Sequence, residues 1–430
     1  MNNLNQNRKD DIAVAVAMSG GVDSSVAAAL LKQQGYDVIG LTMHVWDYES
    51  VGGNILNESS CCSLESMYDA RSVCHALGIP HYVIDVRKEF EQYVINNFET
   101  EYLNGRTPNP CILCNSKIKW EVLLKKAIEL GCDYFSTGHY ARVTFDEDIG
   151  RYILCRGLDR SKDQAYALWG LSQAQLKRTI FPLGNLSKME VRTIASNLNL
   201  KTKSRQESQE ICFVPDNDYA RFLHERNPEL LSEIRDGEIL DKQGNVLGNH
   251  KGYPFYTIGQ RKGLGLAVGK PMYVTEINAE SNKIIIGEKE DLKEQGLLAN
   301  HVNWIAIEKL TSPLEVEAQI RYNDPGRGAT VYPAENGYVK VMFDEFHQAV
   351  TPGQSVVFFN GDIVVGGGVI ESGLKNIKEN KILLEVEILN QDKFEEGYAI
   401  LDELVGFCES KRTDTSIKHD TIIYEFKSKK

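Results

Sequence analysis

A six-residue loop constrains the fold of this 430-residue chain more than any other segment: Ser19-Gly20-Gly21-Val22-Asp23-Ser24. It lies between an apolar run of valine and alanine at residues 12–17 and an alanine-rich stretch at residues 25–34. These patterns predict a strand that leads directly into a helix. The first N–H groups of a helix have no partner within it and carry the positive end of the helix dipole, so this turn is suited to hold phosphate groups.

The loop lacks the Gly-Lys-Ser/Thr ending with which a P-loop holds the β- and γ-phosphates and Mg²⁺, so transfer of the γ-phosphoryl group is not expected. Glycine-rich turns also occur in α/β folds without a ligand, and for the two glycines alone that structural interpretation stays open. The full six-residue string resembles the signature loop of the ATP pyrophosphatases, which split ATP into AMP and pyrophosphate. The resemblance implies a cradle for pyrophosphate.

Strand and helix patterns alternate along the first third of the chain. The predicted elements are strands at residues 37–43, 81–86 and 134–136 and helices at residues 68–77 and 119–130. This order predicts a parallel sheet with helices on both faces, and ligands of such sheets bind at the carboxyl ends of the strands. We therefore expect the Ser19 loop, Met43 and the segment Thr137-Gly138-His139 to converge.

The length of 430 residues exceeds what one hydrophobic core usually serves, so several domains are expected. Helical spacing dominates residues 171–226, whereas short strands with Gly, Asn and Asp turns follow from residue 236. Strict alternation at residues 314–321 and an Asn336-Gly337 hairpin signal predict small β domains there. Four regions are predicted: an α/β ATP-binding catalytic domain with a helical connection (1–225), a small β domain (226–300), a C-terminal β-barrel (301–372) and an extension of unknown role (373–430).

The composition is that of a globular protein, with 42% hydrophobic and 25% charged residues. There is no N-terminal apolar segment and no run approaching ~20 apolar residues, so we expect a cytoplasmic protein with no membrane partner. The net charge of −12 does not favour a nucleic-acid partner, although basic clusters such as the one at residues 201–205 are candidates. Each such cluster alone is more typical of a solvated face.

The second chemical signal is the run Asn109-Pro110-Cys111-Ile112-Leu113-Cys114-Asn115. Asn109 suits an N-cap and Pro110 the first helical position, so Cys111 and Cys114 are predicted one turn apart near the start of a helix. The helix dipole there lowers the pKa of a thiol below its usual ~8.5 and makes the thiol nucleophilic. In a chain with nine cysteines and no signal peptide, reactive or metal-binding thiols are expected rather than a disulfide framework.

Three interpretations of the Cys111 and Cys114 pair stay open: a redox dithiol, a pair of metal ligands, or a nucleophile with a helper. Structural zinc usually needs a second matching pair, and the chain offers only the adjacent Cys61-Cys62 and the isolated Cys212. Cys212 stands where a polar run changes abruptly to an apolar stretch. A lone cysteine of this kind is more often a small buried hydrophobe than a catalyst.

Taken in order, the motifs of residues 12–371 resemble those of the tRNA-specific 2-thiouridylases. Beside the two runs above, the motifs are Thr137-Gly138-His139-Tyr140, Gly157-Leu158-Asp159, Lys162-Asp163-Gln164, Ile211-Cys212-Phe213, residues 257–265, Arg321-Tyr322, Thr351-Pro352-Gly353-Gln354-Ser355 and Gly366-Gly367-Gly368. Several independent motifs in one fixed order are far more specific than any one of them.

The resemblance implies a three-domain enzyme that replaces the C2 oxygen of the wobble uridine of tRNA with sulfur. Because that oxygen is a poor leaving group, ATP would first adenylylate it, and AMP would then leave. Asp23 is implied near the pyrophosphate and its Mg²⁺. The positions implied to bind ATP are Ala17, Met18, Ser19, Gly20, Gly21, Val22, Asp23, Ser24, Met43 and Gly138.

The resemblance also implies roles for the thiols. Cys212 would carry sulfur as a persulfide received from a persulfide or sulfide donor, and Cys114 would be the catalytic nucleophile, able to form a disulfide with Cys212. Asn109, Pro110 and Cys111 would approach the flipped-out base. The positions implied to contact tRNA, with the β-barrel gripping its shape and backbone, are His139, Lys162, Asp163, Gln164, Arg321, Tyr322 and Gln354.

One position departs from part of that family, in which Asp stands where this chain has Cys111. We therefore also hypothesise an oxygen-sensitive iron–sulfur cluster held by Cys111, Cys114 and Cys212, since thiolates are the usual cluster ligands. Two other functions stay open: an amide-forming ATP pyrophosphatase, which needs none of these cysteines, and a non-enzymatic RNA-binding protein with a structural metal.

Overall fold

The computed structural model describes residues 11–46, 64–205, 211–214, 216–266 and 269–375. Within them, every helix is too short or too polar to span a membrane. The strands before residue 237 are β1 (Ala13–Ala17), β2 (Asp37–His44), β3 (His81–Asp85), β4 (Tyr134–Ser136), β5 (Ala141–Asp146), β6 (Arg151–Arg156) and β7 (Thr179–Ile180). The helices are α1 (Val22–Gln33), α2 (Leu64–Leu77), α3 (Arg87–Phe90), α4 (Asn96–Leu103), α5 (Pro110–Leu113), α6 (Leu124–Glu129), α7 (Gln173–Leu176), α8 (Lys188–Asn197), α9 (Tyr219–Arg226) and α10 (Pro228–Glu233).

The first domain is built on a parallel sheet with the strand order β3-β2-β1-β4-β7, as the alternating pattern predicted. Successive strand residues point to opposite faces of a sheet. Val14 and Val16 accordingly pack in one cluster with Val26 of α1, whereas Ala15 packs in another with Trp120. Helices therefore cover both faces of the sheet. A ligand of such a sheet binds at the carboxyl ends of the strands.

The helix that carries Cys111 and Cys114 is longer than predicted. It begins at Pro110 and runs through α5, a π-helical segment (Cys114–Leu123) and α6. Asn109 stands at the N-cap position, as predicted, but its side chain makes no capping hydrogen bond. Its ψ of 85° lies far from the extended values typical of an N-cap, so the amide is not directed at the helix N–H groups.

Strands β5 and β6 form an antiparallel hairpin that the sequence analysis missed. The hairpin does not join the parallel sheet. It extends the sheet of the C-terminal barrel instead, where Cys155 of β6 pairs with Ile363. Its side chains enter two cores, since Val143 and Leu154 pack with the first domain while Ile153 and Cys155 pack inside the barrel.

The middle domain is a four-stranded sheet, as its Gly, Asn and Asp turns indicated. Its strands are β8 (Gly237–Leu240), β9 (Val246–His250), β10 (Tyr273–Asn278) and β11 (Lys283–Gly287), in the order β10-β11-β8-β9. The pairs β10–β11 and β8–β9 are antiparallel hairpins, and β11 runs parallel to β8. Ile239, Val274, Ile284 and Ile286 are buried and form its core.

The C-terminal domain is a closed antiparallel barrel, which confirms the prediction of a β-barrel. Its strands are β12 (Lys293–Trp304), β13 (Leu314–Gln319), β14 (Arg327–Pro333), β15 (Val339–Gln348), β16 (Ser355–Asn360) and β17 (Ile363–Leu374). The order is β12-β15-β14-β13-β16-β17, and pairing of β12 with β17 closes it. Asn336 and Gly337, at φ of 55° and 77°, form the predicted turn between β14 and β15.

Two predicted region boundaries fall inside strands. Residue 300 lies within β12, which begins the barrel at Lys293, and residue 373 lies within β17, which ends at Leu374. Most of the predicted extension, residues 376–430, lies outside the described part of the chain, as do Cys61 and Cys62.

Candidate functional site

The loop between β1 and α1, residues 18–24, forms a concave turn at the start of the helix that we call the phosphate cradle. Its shape is held by its own hydroxyl groups. Ser24 Oγ donates to the carbonyl of Gly21 at 3.2 Å and accepts from the N–H of Ser19 at 3.2 Å. Gly21 is the N-cap of α1 and supplies no capping side chain, so the N–H groups of the first turn face the cradle and suit an anion.

Two glycines let neighbouring backbone approach the phosphate cradle. Gly20 has a φ of +72°, and a Cβ there would lie 2.2 Å from the carbonyl oxygen of Ser66 in α2. A Cβ at Gly138, in the loop after β4, would lie 2.6 Å from the amide nitrogen of Ser24. The structure therefore brings the loops after β1 and β4 together at the start of α1. Met43, near the carboxyl end of β2, belongs to the adjacent strand.

Asp23, in the first turn of α1, is held by two groups from other elements. Lys188 Nζ lies 2.8 and 2.9 Å from its two carboxylate oxygens, and the Tyr140 hydroxyl donates to Oδ1 at 2.8 Å. Lys188 is only 9% exposed. It places a positive charge beside the phosphate cradle.

The sequence analysis missed Lys188 because it lies 165 positions from Asp23 in the chain. A local signal marks its position. Lys188 is the first residue of α8, directly after a Ser187 and Glu190 capping box that can be recognised in the sequence.

Cys111 and Cys114 lie at the start of the helix that begins at Pro110, which we call the thiol-bearing helix, and Cys212 directly precedes Phe213. Cys111 is exposed, and Cys114 and Cys212 are half-buried. Cys114, Cys212 and Met43 all pack against one cluster of buried residues, which we call the aromatic cluster: Val45, Trp46, Val86, Phe90, Val94, Ile95, Phe98, Tyr102, Ile118, Phe213, Val214, Phe222, Leu223 and Leu231. Met43 thus links the strand end beside the phosphate cradle to the environment of both thiols.

The position of Cys212 is fixed by its neighbour Phe213. The Phe213 ring is 1% exposed and lies 5.8, 5.1 and 5.4 Å from the ring centroids of Phe90, Phe98 and Phe222. Aromatic pairs at such distances are favourable in tilted and edge-to-face arrangements. The apolar residue after Cys212 therefore anchors the chain, and the cysteine is held at the margin of the aromatic cluster.

A cluster of metal ligands is not found around these thiols. Among the residues that the structure describes, no three His, Cys, Asp or Glu side chains form a group that could hold a metal ion. The hypothesis of an iron–sulfur cluster on Cys111, Cys114 and Cys212 therefore gains no support from the geometry.

His139, one of the residues implied to contact tRNA, is buried. Its ring lies 5.7 Å from Trp120 and 6.3 Å from Phe181, and its Nδ1 lies 2.6 Å from Thr137 Oγ1. Burial, together with the nearby charge of Lys119, holds the pKa of His139 well below its usual value, so the ring is neutral. In this position the side chain supports the loop after β4.

The run Lys162-Asp163-Gln164 also makes internal contacts. Asp163 accepts the N–H groups of Gly157 and Ala165 at 2.9 and 3.1 Å, and burial raises the pKa of its carboxyl. Gln164 Oε1 accepts the N–H of Tyr140 at 3.0 Å. Asp163 and Gln164 therefore hold the loops that surround Tyr140, and Lys162 beside them is half-buried.

Arg321 and Tyr322 lie on the barrel surface and are exposed. Tyr322 lines a cavity of about 350 Å³ together with Asp163, Arg156 and Arg160. Two sets of residues implied to contact tRNA, far apart in sequence, thus border one concave surface with two arginines.

Gln354 of the barrel points back to the first domain. Its Nε2 donates to the carbonyls of Thr107 and Pro108 at 3.0 and 2.9 Å, immediately before Asn109 and Pro110. Pro110 is buried and Asn109 half-buried. The barrel therefore contacts the chain at the start of the thiol-bearing helix.

Fold and site together define an α/β domain with a glycine-rich loop at the carboxyl end of its parallel sheet and a helix that carries two cysteines, followed by two β domains. Family models match three consecutive parts of the chain: the tRNA methyl transferase HUP domain at residues 12–216, the tRNA methyl transferase PRC-barrel domain at residues 222–288 and the aminomethyltransferase beta-barrel domain at residues 294–370.

The curated relatives are named tRNA-specific 2-thiouridylase MnmA. The chain is 54% identical to the one of Halothermothrix orenii over 83% of this chain and 98% of the relative. It is 53% identical to that of Carboxydothermus hydrogenoformans over 84% and 98%, and 52% identical to that of Salinibacter ruber over 83% and 94%. This chain belongs to the tRNA-specific 2-thiouridylase family, as its motifs predicted.

Proposed function

We propose that the protein catalyses ATP-dependent 2-thiolation of the wobble uridine of tRNA, giving 2-thiouridine, AMP and pyrophosphate. One observation carries the proposal: Met43, on the strand next to the one that leads into the phosphate cradle, packs against the same aromatic cluster as Cys114 and Cys212. A nucleotide and a sulfur carrier can thus act on the same base. The names of the relatives supply the substrate class.

In this proposal the phosphate cradle binds the pyrophosphate part of ATP. The first N–H groups of α1 and the Lys188 ammonium supply positive potential, and Asp23 is the carboxylate available to Mg²⁺ in the cradle. When bound, Mg²⁺ would neutralise phosphate charge. Lys188 and Tyr140 orient the Asp23 carboxylate, so the same contacts serve the nucleotide and the ion.

The proposed sulfur transfer uses both thiols of the aromatic cluster. The uridine C2 oxygen attacks the α-phosphorus of ATP, and pyrophosphate leaves. The outer sulfur of a Cys212 persulfide bonds to C2, and AMP leaves with the oxygen. The Cys114 thiolate then attacks the inner sulfur, which breaks the S–S bond, leaves sulfur on the base and forms a Cys114–Cys212 disulfide. A thiol reductant then resets the pair, and a persulfide donor reloads Cys212 by passing its outer sulfur to the Cys212 thiolate and leaving as a thiolate. Alternatively, sulfide attacks the disulfide at Cys212, which leaves Cys212 as the persulfide and releases the Cys114 thiolate.

The remaining predicted residues have places in the same scheme. Asn109, Pro110 and the exposed Cys111 lie at the start of the helix that carries Cys114, and we propose that a flipped-out base enters there. The concave surface with Tyr322, Arg156 and Arg160 is the proposed contact for the tRNA backbone, whose phosphates would take the place of Glu317 and Asp362 as partners of the two guanidinium groups. The proposed compartment is the cytoplasm, where ATP and tRNA are both present.

In the test, protein purified under anaerobic conditions is incubated with unmodified tRNA, Mg·ATP and a persulfide or sulfide source. The tRNA is then digested, and its nucleosides are identified by mass spectrometry. We expect ATP-dependent 2-thiouridine that disappears in Cys114→Ser and Cys212→Ser. Cys132→Ser is the matched control, since that cysteine is buried in another cluster.

Other outcomes contradict the proposal in distinct ways. A methylated uridine would support the activity in the name of the matched domain models instead. AMP and pyrophosphate formed with a small carboxylate but not with tRNA would support an amide-forming synthetase. Unfolding by a chelator without ATP turnover would support a structural metal, and iron with acid-labile sulfide in active protein would revive the cluster on Cys111.

A further inference from the structure

A cavity of about 390 Å³, which we call the junction cavity, lies where the three domains meet. Gly105 reaches it from the first domain, Ile277 from β10 of the middle domain and Gly373 from β17 of the barrel. The domains approach closely here, since a Cβ at Gly105 would lie 3.0 Å from Cγ2 of Ile277. The described residues that line the junction cavity belong neither to the phosphate cradle nor to the aromatic cluster. Its volume is within the range of about 300–1,000 Å³ that is typical of small-molecule sites.

Glu294 of β12 lines the junction cavity with a carboxyl group that lacks a partner. The residue is 8% exposed, and its Oε2 accepts no hydrogen bond from any residue that the structure describes. A Cβ at Gly373 would lie 3.0 Å from the other oxygen, Oε1, so the neighbouring strand leaves room for this carboxyl only because it has a glycine there. Buried polar atoms in folded proteins nearly always have a partner. A ligand that donates a hydrogen bond to Glu294 would supply the missing one.

The charged groups of the junction cavity favour a cation as that ligand. Glu294 and Glu276 supply two carboxyl groups, whereas Lys375 supplies one ammonium group. Glu276 and Lys375 are exposed and therefore stand at the opening, with Glu294 buried behind them. Burial raises the pKa of Glu294 to about 7, and the charge of Lys375 opposes this effect only in part. A cation bound beside Glu294 would stabilise the ionised carboxylate.

The walls of the junction cavity favour an organic cation over a metal ion. Within the described parts of the chain, no three His, Cys, Asp or Glu side chains are grouped so that they could hold a metal. The cavity has apolar walls instead, formed by Ile258, Ile277, Val350 and Pro352. Methylene groups gain free energy by packing on such walls, and an ammonium group forms strong hydrogen bonds to a carboxylate. An alkyl chain that carries ammonium groups combines both properties.

We propose that the junction cavity binds an aliphatic diamine, with one ammonium group on Glu294, the second near Glu276 and the methylene chain against Ile277. Lys375 is a like charge at the opening and limits the affinity. A bound diamine contacts elements of all three domains and stabilises their arrangement. The cavity shares no residue with the phosphate cradle or the thiols, so this proposal stands or falls independently of the proposed thiolation reaction.

Isothermal titration calorimetry of the full chain with putrescine, a four-carbon diamine, tests the proposal at pH 8. Glu294→Gln should weaken binding by at least about tenfold, because a charge-assisted hydrogen bond is lost. Lys375→Gln should strengthen binding by about two- to fivefold, because a like charge is removed. Butylamine, with one ammonium group, should bind about three- to tenfold more weakly than putrescine.

The same titration at lower pH supplies a second readout. Glu294 must be ionised to attract the ammonium group, and Glu276 and Lys375 are the other charged groups that line the cavity. Because the pKa of Glu294 is about 7, affinity should fall by about 10- to 100-fold between pH 8 and pH 5. The thermal midpoint of unfolding should rise with putrescine in wild type at pH 8 and stay constant in Glu294→Gln.

The matched control is Glu335→Gln, which removes the same charge from an exposed position in the turn between β14 and β15. The chain has a net charge of −12, so any cation is also attracted diffusely to its surface. Wild-type affinity in Glu335→Gln would support binding in the junction cavity. Equal weakening by Glu294→Gln and Glu335→Gln, or no measurable binding to the wild-type protein, would overturn the proposal.

Discussion

The phosphate cradle and the thiol-bearing helix lie at neighbouring strand ends, but different parts of the chain hold them. The cradle is shaped by the hydroxyls of Ser19 and Ser24, a few residues apart, and by loops of its own domain. The thiol-bearing helix packs in its own domain through residues such as Trp120, but the two residues before its start are also held by Gln354 of the barrel, which lies 247 positions from Thr107. The nucleotide half of the site therefore lies within one domain, whereas the start of the thiol-bearing helix also depends on how the domains are assembled.

The largest effect is expected on the cradle side, from Lys188→Met. The change leaves the Asp23 carboxylate without its cation and removes a positive charge from the phosphate site, so kcat/KM for ATP should fall by about 100- to 1,000-fold. Steady-state kinetics with varied ATP provides the measurement. Binding of tRNA should be unchanged. The control Lys242→Met, which breaks the exposed ion pair with Asp291 in the middle domain, should leave both ATP use and tRNA binding unchanged. Equal losses in ATP use and tRNA binding would show that the two halves are not separate.

A smaller effect is expected from Gly138→Ala, which tests how rigid the cradle is. The new Cβ would lie 2.6 Å from the amide nitrogen of Ser24, so the free energy of unfolding should fall by about 1–3 kcal/mol. Denaturant unfolding provides the measurement. Gly170→Ala is the control, because its Cβ would meet Ser116 at an ordinary 3.4 Å. Equal stability of the two variants would mean that the cradle yields to the added methyl group.

On the barrel side, Glu294→Gln should show a pH-dependent gain in stability. Glu294 is 8% exposed and Oε2 has no hydrogen-bond partner, and burial raises the pKa of its carboxyl to about 7. Wild type therefore loses stability as pH rises from about 4.5 through 7, because the folded state must then hold an ionised carboxylate. At pH 8 the variant should be more stable by about 1–3 kcal/mol, and below pH 5 the two should coincide.

Thermal unfolding across this pH range measures the effect. Glu276 and Glu294 both line the junction cavity of about 390 Å³, but Glu276 is exposed. Glu276→Gln is therefore the matched control and should show no such pH dependence. A gain in stability that is constant with pH would contradict the assignment to Glu294. The nucleotide kinetics should stay unchanged in both variants, which sharpens the separation of barrel and cradle.

The smallest effect is expected from Glu371→Gln, which weakens the ion pair with Arg106. Because the Glu371 side chain is 38% exposed, the pair should contribute about 0.2–1 kcal/mol, and kcat should fall by about two- to fivefold. Single-turnover thiolation is the measurement. Glu345→Gln, whose partner Arg327 lies on the outer barrel surface, is the control. A loss as large as that from Lys188→Met would contradict the minor role expected for this ion pair.

The same division explains what could be predicted from the sequence. The strand before Ser19, the helix after it and the hairpin at Asn336 follow from patterns within a few residues, and the structure has them all. The convergence of the Ser19 loop with Gly138 follows from the rule that parallel strands end at one edge.

The missed features depend on partners far away in the chain. The role of Lys188 is visible only once α8 is packed beside Asp23, and the bonds of Gln354 only once the barrel meets Thr107 and Pro108. The hairpin β5–β6 has ordinary strand residues, but its place in the barrel sheet depends on Ile363. Asn109 belongs here too: it occupies the predicted N-cap without a capping hydrogen bond, and the two residues before it accept hydrogen bonds from Gln354 of the distant barrel.

The hairpin has a consequence for how the chain is made. Cys155 is synthesised well before Ile363, its partner in the barrel sheet, so the outer edge of β6 has no neighbour while the ribosome completes the two β domains. Nascent strand edges of this kind are targets for mispairing and for chaperones. The hairpin β5–β6 therefore reaches its final form only near the end of translation. A truncation before β17 should leave the edge of β6 unpaired and give an aggregation-prone product.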